Sequence, residues 1–139
     1  MPQITINYLA VLVVAIISMV IGGLWFSPML FGKQWMALSG MTDAHMAEAK
    51  NKGLTKAYLL QFVASLIMSY VLAHVIGYAG ATTVSAGLQG GFWVWLGFIA
   101  PVTLGSVLWE GKSWKLWVLS NGHYLIVLLI AGAVLSVWR

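Results

Sequence analysis

The sequence predicts an all-α membrane protein, a four-helix transmembrane bundle made of two helical hairpins. Three observations carry this expectation. Hydrophobic residues are 61% of the 139 and charged residues only 7%, whereas a soluble chain has about a quarter of its residues charged; the mean hydropathy is +0.93. Uncharged stretches reach lengths that only membrane spans need. The basic residues fall in alternate connections, as the positive-inside rule requires of a multi-span chain.

The first helix is expected over 4–26, 23 residues without a formal charge, where roughly 20 suffice to cross a hydrocarbon core of about 30 Å. No basic segment precedes it and no small-x-small site with polar sequence follows it, so it is read as a retained span and not as a cleaved signal. After it comes Gly22-Gly-Leu-Trp-Phe-Ser-Pro-Met-Leu-Phe-Gly-Lys-Gln-Trp35. This marks the exit from the bilayer, since Trp25 and Trp35 suit the head-group level, Lys33 can snorkel and Pro28 disfavours helix at Ser27. The connection 33–55 is the sizeable polar piece. Within it Thr42 to Asn51 predicts a short helix with an early acid and a late lysine; Met36, Leu38, Met41 and Met46 suit a loop lying on the membrane surface, and a solvated connector with no partner is the competing reading.

The next uncharged run, 57–109, would form a helix about 80 Å long and must fold back. Gly77-Tyr-Ala-Gly-Ala-Thr-Thr83 supplies the turn, giving a second helix over 57–76 and a third over 84–109. Glu110-Gly-Lys-Ser113 interrupts the chain again, and the fourth helix runs over 114–138. Lys33, Lys50, Lys52 and Lys56 lie in the first loop, Lys112 and Lys115 lie at the third, and the second loop has none. Loops one and three are therefore expected in the cytoplasm and both termini outside, with Arg139 a dissenting charge. Interfacial anchors are expected at Trp25, Lys33, Trp35, Trp109, Glu110, Lys112 and Trp114, with an ion pair of Glu110 to a neighbouring lysine.

Composition also excludes. Cysteine is absent, which removes disulfides, thiolate nucleophiles and Cys-ligated metals. The formal charge of +4 is a topology signal beside lipid head groups, so no nucleic-acid partner is expected. No phosphate loop, His-Glu-x-x-His, Gly-x-Ser-x-Gly or intramembrane acid pair occurs, and the chain is expected to be neither an enzyme nor a cofactor or metal protein. His74 and His123 differ in depth by roughly 15 Å by helical rise, too far to share one haem iron within a subunit.

Ionisable and polar groups at membrane depth are costly and thus functional candidates. Ser120, Asn121, His123 and Tyr124 cluster about 10 Å inside the fourth helix, with Ser120, His123 and Tyr124 sharing a face at i, i+3 and i+4 spacing. His123 is suited to proton relay or solute binding; an interhelical hydrogen bond at Gly122 is the competing reading. Trp93 and Trp95, near mid-membrane in the third helix, can line an aromatic pocket or pack against small neighbours and lipid. Gly87 and Gly91 form a small-xxx-small pair for close helix approach, and Pro101 can loosen the backbone.

Leu24-Trp25 followed by Gly32-Lys-Gln-Trp35 is echoed by Leu108-Trp109 followed by Gly111-Lys-Ser-Trp114. A parallel repeat and convergent anchoring both produce that echo. Leu24 to Trp35, with Trp95-Leu-Gly-Phe-Ile-Ala-Pro-Val-Thr103 and Leu108-Trp-Glu-Gly-Lys112, resembles domain-of-unknown-function family 1761, small bacterial membrane proteins. The resemblance implies a multi-helix protein of the bacterial inner membrane and brings no activity with it. The expected role is a homo-oligomeric transporter or channel for a small solute or proton, with His123, Asn121, Ser120, Tyr124, Trp93 and Trp95 as its site; the alternative is a non-catalytic accessory subunit of a membrane assembly.

Overall fold

A computed structural model describes residues 1–139 as helices joined by short turns, with no strand. The helices are α1 (Tyr8–Trp25), α2 (Gly32–Ser39), α3 (Asp43–Asn51), α4 (Thr55–Tyr78), α5 (Val84–Leu108) and α6 (Trp114–Val137). Four of them, α1, α4, α5 and α6, are 18 to 25 residues long and apolar enough to cross a membrane. Only 21 residues are buried, while Phe98 and Val102 are each 72% exposed among many other outward apolar side chains. Such a surface requires lipid around it.

Local chemistry sets the ends of the spans. The α1 helix begins four residues later than the apolar run, because Asn7 Oδ1 accepts the N–H groups of Leu9 and Ala10, both at 3.1 Å. The α4 helix continues through Gly77 to Tyr78 before the turn, and Thr83 caps α5 through its hydroxyl and Ala86 N–H. At the α5–α6 turn Gly111 has φ +71, a conformation costly for any residue with a Cβ, and Lys112 N–H closes the turn on Ser106 O at 3.0 Å.

Pro101 does not break α5. A π turn over Trp95–Ile99 precedes it, in which Ala100 N–H reaches Trp95 O, and Thr103 Oγ1 lies 2.8 Å from Ile99 O. The π turn thus shifts the hydrogen-bond register just ahead of the residue that lacks an N–H, and the Thr103 hydroxyl bonds a backbone carbonyl in the same stretch.

The first loop holds two helices where one is expected. The Thr42 to Asn51 segment folds as α3, with a reciprocal cap between Thr42 and His45. The additional α2 starts at Gly32, where the chain reverses after α1 through Phe31 N–H to Trp25 O (3.0 Å) and Gly32 N–H to Ser27 O (2.9 Å). A Cβ at Gly32 would lie 2.5 Å from Phe26 O and 2.7 Å from the Ser27 carbonyl carbon, so this reversal accepts only glycine.

The bundle is packed unevenly along its length. Ala10, Val11 and Val14 of α1, Leu72 and Ile76 of α4, and Leu128, Ala131 and Leu135 of α6 form one buried cluster, all of it in the half nearest the α4–α5 turn. Side-chain bonds to backbone tie that end together: Ser69 Oγ to Val11 O (2.8 Å), Ser136 Oγ to Thr83 O (2.9 Å) and Arg139 Nη1 to Ala81 O (2.9 Å). There α5 and α6 approach until their backbones touch, since a Cβ on Gly87 would overlap the Gly132 carbonyl and one on Gly91 the Leu128 carbonyl. The other half, on the side of α2 and α3, is open.

Candidate functional site: a vestibule around His123

The open half encloses a cavity of about 920 Å³ between α1, α4 and α6, with α2 and α3 beside it. Its composition changes with depth. Lys33 and Lys50 stand at the loop end, Tyr58 and Gln61 come in from the start of α4, and Met19, Met68 and Val127 line the part nearest the packed core. Small residues make the space. Ser18, Gly22 and Gly23 on α1 face Ala64 and Ser65 on α4 across it.

His123 enters this vestibule from α6. Its ring stands 5.1 Å from Phe26 at 65° and 6.1 Å from Trp25, centroid to centroid. The ring lies against Gly22 of α1, where a Cβ would stand 3.5 Å from His123 Nε2, an ordinary packing distance. Both ring nitrogens are buried and neither has a hydrogen-bond partner within the protein. Leaving a buried polar group unsatisfied costs about 1–3 kcal/mol. A water or guest in the vestibule can remove that cost.

The six residues expected to share a site are divided among four surroundings. Asn121 is 2% exposed and belongs to the α5–α6 seam. Its Nδ2 donates to Trp117 O (3.1 Å), its Oδ1 lies 2.9 Å from Thr103 Oγ1, and its backbone carbonyl accepts the Trp95 indole N–H at 2.9 Å. Trp117 Nε1–H donates to the same Thr103 hydroxyl at 3.1 Å. This is a closed network in which Trp95 and Asn121 are structural. Trp93 is 64% exposed, on the outer surface of α5, and does not line this vestibule. Ser120 faces a second cavity of about 580 Å³ between α2 and the α5–α6 turn, and Tyr124 borders both cavities. His123 alone of the six is a buried, unpartnered polar group.

The anchors divide too. Trp25, at the end of α1, also makes an interhelical contact, donating Nε1–H to Leu119 O at 3.1 Å and resting on Gly122, whose Cβ would stand 3.3 Å from its ring. Trp109, its counterpart in the sequence echo, is 87% exposed. The expected ion pair of Glu110 does not form; the one salt bridge is Glu48 to Lys52 at 3.1 Å. The turn at Gly111 directs Lys112 N–H back to Ser106 O, leaving Glu110 exposed at the boundary. His74, at the other end, has Nδ1 3.0 Å from Tyr70 O.

Sequence reasoning missed the walls contributed by α1, α4 and the first loop. Gln61, Ser65 and Ser69 recur at i, i+4 on one face of α4, and that polar stripe in an apolar helix was the available signal.

These features define a class: a small four-span membrane protein, closed at one end and hollow at the other, with one uncompensated histidine in the hollow. The family described as "Protein of unknown function (DUF1761)" matches residues 9–136, and the chain belongs to it. No curated protein and no solved structure matches the chain.

Proposed function

We propose that this protein binds a small solute in the vestibule and carries it, or a proton, across the membrane, with His123 as the polar contact. The observation that supports this most is the pair of buried, unpartnered nitrogens of His123 beside a cavity of about 920 Å³. Ligand sites are commonly cavities of about 300–1,000 Å³, mostly apolar with a few polar groups. A bundle packed at one end and hollow at the other also matches one access state of a carrier. In this reading the chain is not an enzyme, it resides in a bacterial inner membrane, and the hollow end with its lysines faces the cytoplasm.

The test is flux in proteoliposomes. Proton movement under an imposed potential is followed with an entrapped pH dye for the wild type, His123→Ala and Asn121→Ala. The expected result is flux in the wild type, lost in His123→Ala while its assembly and melting temperature persist. The proton branch falls if the wild type shows no more flux than empty liposomes. The carrier reading falls with it if a solute panel, scored by thermal shift, gives no stabilisation that depends on His123.

A second reading rests on α5, whose outward Trp93, Phe98 and Val102 are 64%, 72% and 72% exposed. That face suits a second copy of the chain or another membrane subunit. Native mass spectrometry after gentle extraction separates these: a homo-oligomer accompanies the carrier, whereas a stoichiometric foreign chain makes the protein an accessory subunit.

A further inference from the structure

We propose that the guest of the vestibule is a single-chain anionic amphiphile, with its acidic head between Lys33 and Lys50 and its chain lying inward past His123. This rests on the binding reading above and names the class of ligand.

Charge is the first argument. The chain has three carboxylates, Asp43, Glu48 and Glu110, and none lines the vestibule. Glu48 is engaged by Lys52. Lys33 and Lys50 therefore stand at one opening without an acidic partner, a field that favours an anion and disfavours a cation.

The gradient along the cavity is the second argument. Along α1, α4 and α6 from the lysines inward come a phenol, a carboxamide and an imidazole, and then Met19, Met68 and Val127. Trp35, Met36 and Met46 form an apolar wall beside the lysines, and the small Ser18 and Ser65 lie in the inner half. Ten residues of α4 separate Tyr58 from Met68, about 15 Å at 1.5 Å per residue. A charged head, a polar neck and an apolar tail in that order describe an amphiphile. An inorganic anion would leave the inner half empty, and an apolar solute would leave the lysines and His123 unused.

Four of the lining side chains, Met19, Met36, Met46 and Met68, are thioethers, which repack around differing chains. Met36 and Met46 come from α2 and α3, so the first loop serves as one wall of the binding space instead of a bare connector.

Head chemistry can come from a carboxylate or a phosphate, and the bilayer itself supplies two-chain anionic lipids, so the experiment separates these. The full chain is placed in phosphatidylcholine nanodiscs. Adducts are counted by native mass spectrometry and apparent affinities are taken from thermal shift, with dodecyl phosphate, laurate, inorganic phosphate, dodecyl maltoside, dodecyl trimethylammonium and phosphatidylglycerol as probes. The expected result is one dodecyl phosphate or laurate per chain, undisplaced by inorganic phosphate or phosphatidylglycerol. Affinity should drop about tenfold or more in the Lys33→Gln/Lys50→Gln double variant, whose exposed changes leave the fold intact. Ala64→Phe, which fills the cavity, should abolish binding by a route independent of charge.

The proposal is overturned if trimethylammonium binds as well as phosphate, if the double variant binds unchanged, or if phosphatidylglycerol displaces the single-chain probe. Dodecyl maltoside or another neutral probe binding in a His123-dependent way, with no anionic preference, would sink the anionic head and leave the vestibule reading standing. Absence of binding by every probe, in wild type and variants alike, would remove both.

Discussion

Asn121 and His123 lie two positions apart on α6 and face opposite chemistries. The amide of Asn121 is enclosed, bonded through Oδ1 to Thr103 of α5 and through Nδ2 to Trp117 O of its own helix, so its removal strips partners from Thr103 and Trp117 together. Interhelical hydrogen bonds in membranes are worth about 0.6 kcal/mol on average and up to about 1.7. Asn121→Ala is therefore expected to lose about 1–2 kcal/mol in a detergent unfolding titration. His123 has no such partners to lose. His123→Ala should leave that titration within about 0.5 kcal/mol of wild type, or raise it, because an unsatisfied group goes with the ring. A large loss in His123→Ala would mean that its nitrogens are satisfied structurally. The sequence brought these two residues forward as one polar cluster. Adjacency on a helix does not say which neighbour each side chain meets, and a rotation of about 200° between i and i+2 sends them to different surroundings.

At the scale of elements, glycine positions decide where helices touch. Gly91 abuts the Leu128 carbonyl of α6, a backbone group unable to step aside, whereas a Cβ at Gly23 of α1 would meet nothing within 4 Å. Gly91→Ala should cost about 1–3 kcal/mol through forced separation of α5 and α6. Gly23→Ala should be neutral or stabilising by about 0.5–1 kcal/mol from helix propensity. The same titration checks both, and equal effects would contradict the packed seam. The Gly87 and Gly91 spacing was legible because small-xxx-small has one common physical use in a membrane helix. The Leu24 to Trp35 stretch was legible as the end of the first span, and α1 stops at Trp25. Its tight reversal at Gly32 was not, since the requirement comes from the Phe26 and Ser27 backbone folding back over that position. The π turn before Pro101 escaped too, because proline predicts a defect in the hydrogen-bond ladder without saying how the register shifts around it.

For the whole molecule, the positions of the lysines predict that the vestibule opens to the cytoplasm. The absence of native cysteine makes this directly measurable. Single Ser39→Cys and Thr82→Cys variants occupy opposite ends of the bundle, both exposed. An impermeant maleimide added to intact spheroplasts should label Thr82→Cys at once and Ser39→Cys only after permeabilisation. The reverse pattern would invert the protein and place the lysine-lined opening outside.

The sequence by itself determined that this chain lives in a membrane, how many times it crosses, and where each crossing ends within a few residues. Those properties depend on hydrocarbon thickness, helical rise and the cost of charge in lipid, which act on each segment separately. Tertiary structure alone decided that one half of the bundle is solid and the other hollow. It separated Asn121 from His123, turned Trp25 toward α6 while leaving Trp93 exposed on the outside of the bundle, and brought methionines and lysines of the first loop to the wall of a cavity. The reason is that a lipid-facing residue and a core-facing residue obey the same hydropathy in a membrane. Periodicity therefore carries little record of which face packs, and only the fit of small residues against particular neighbours settles it.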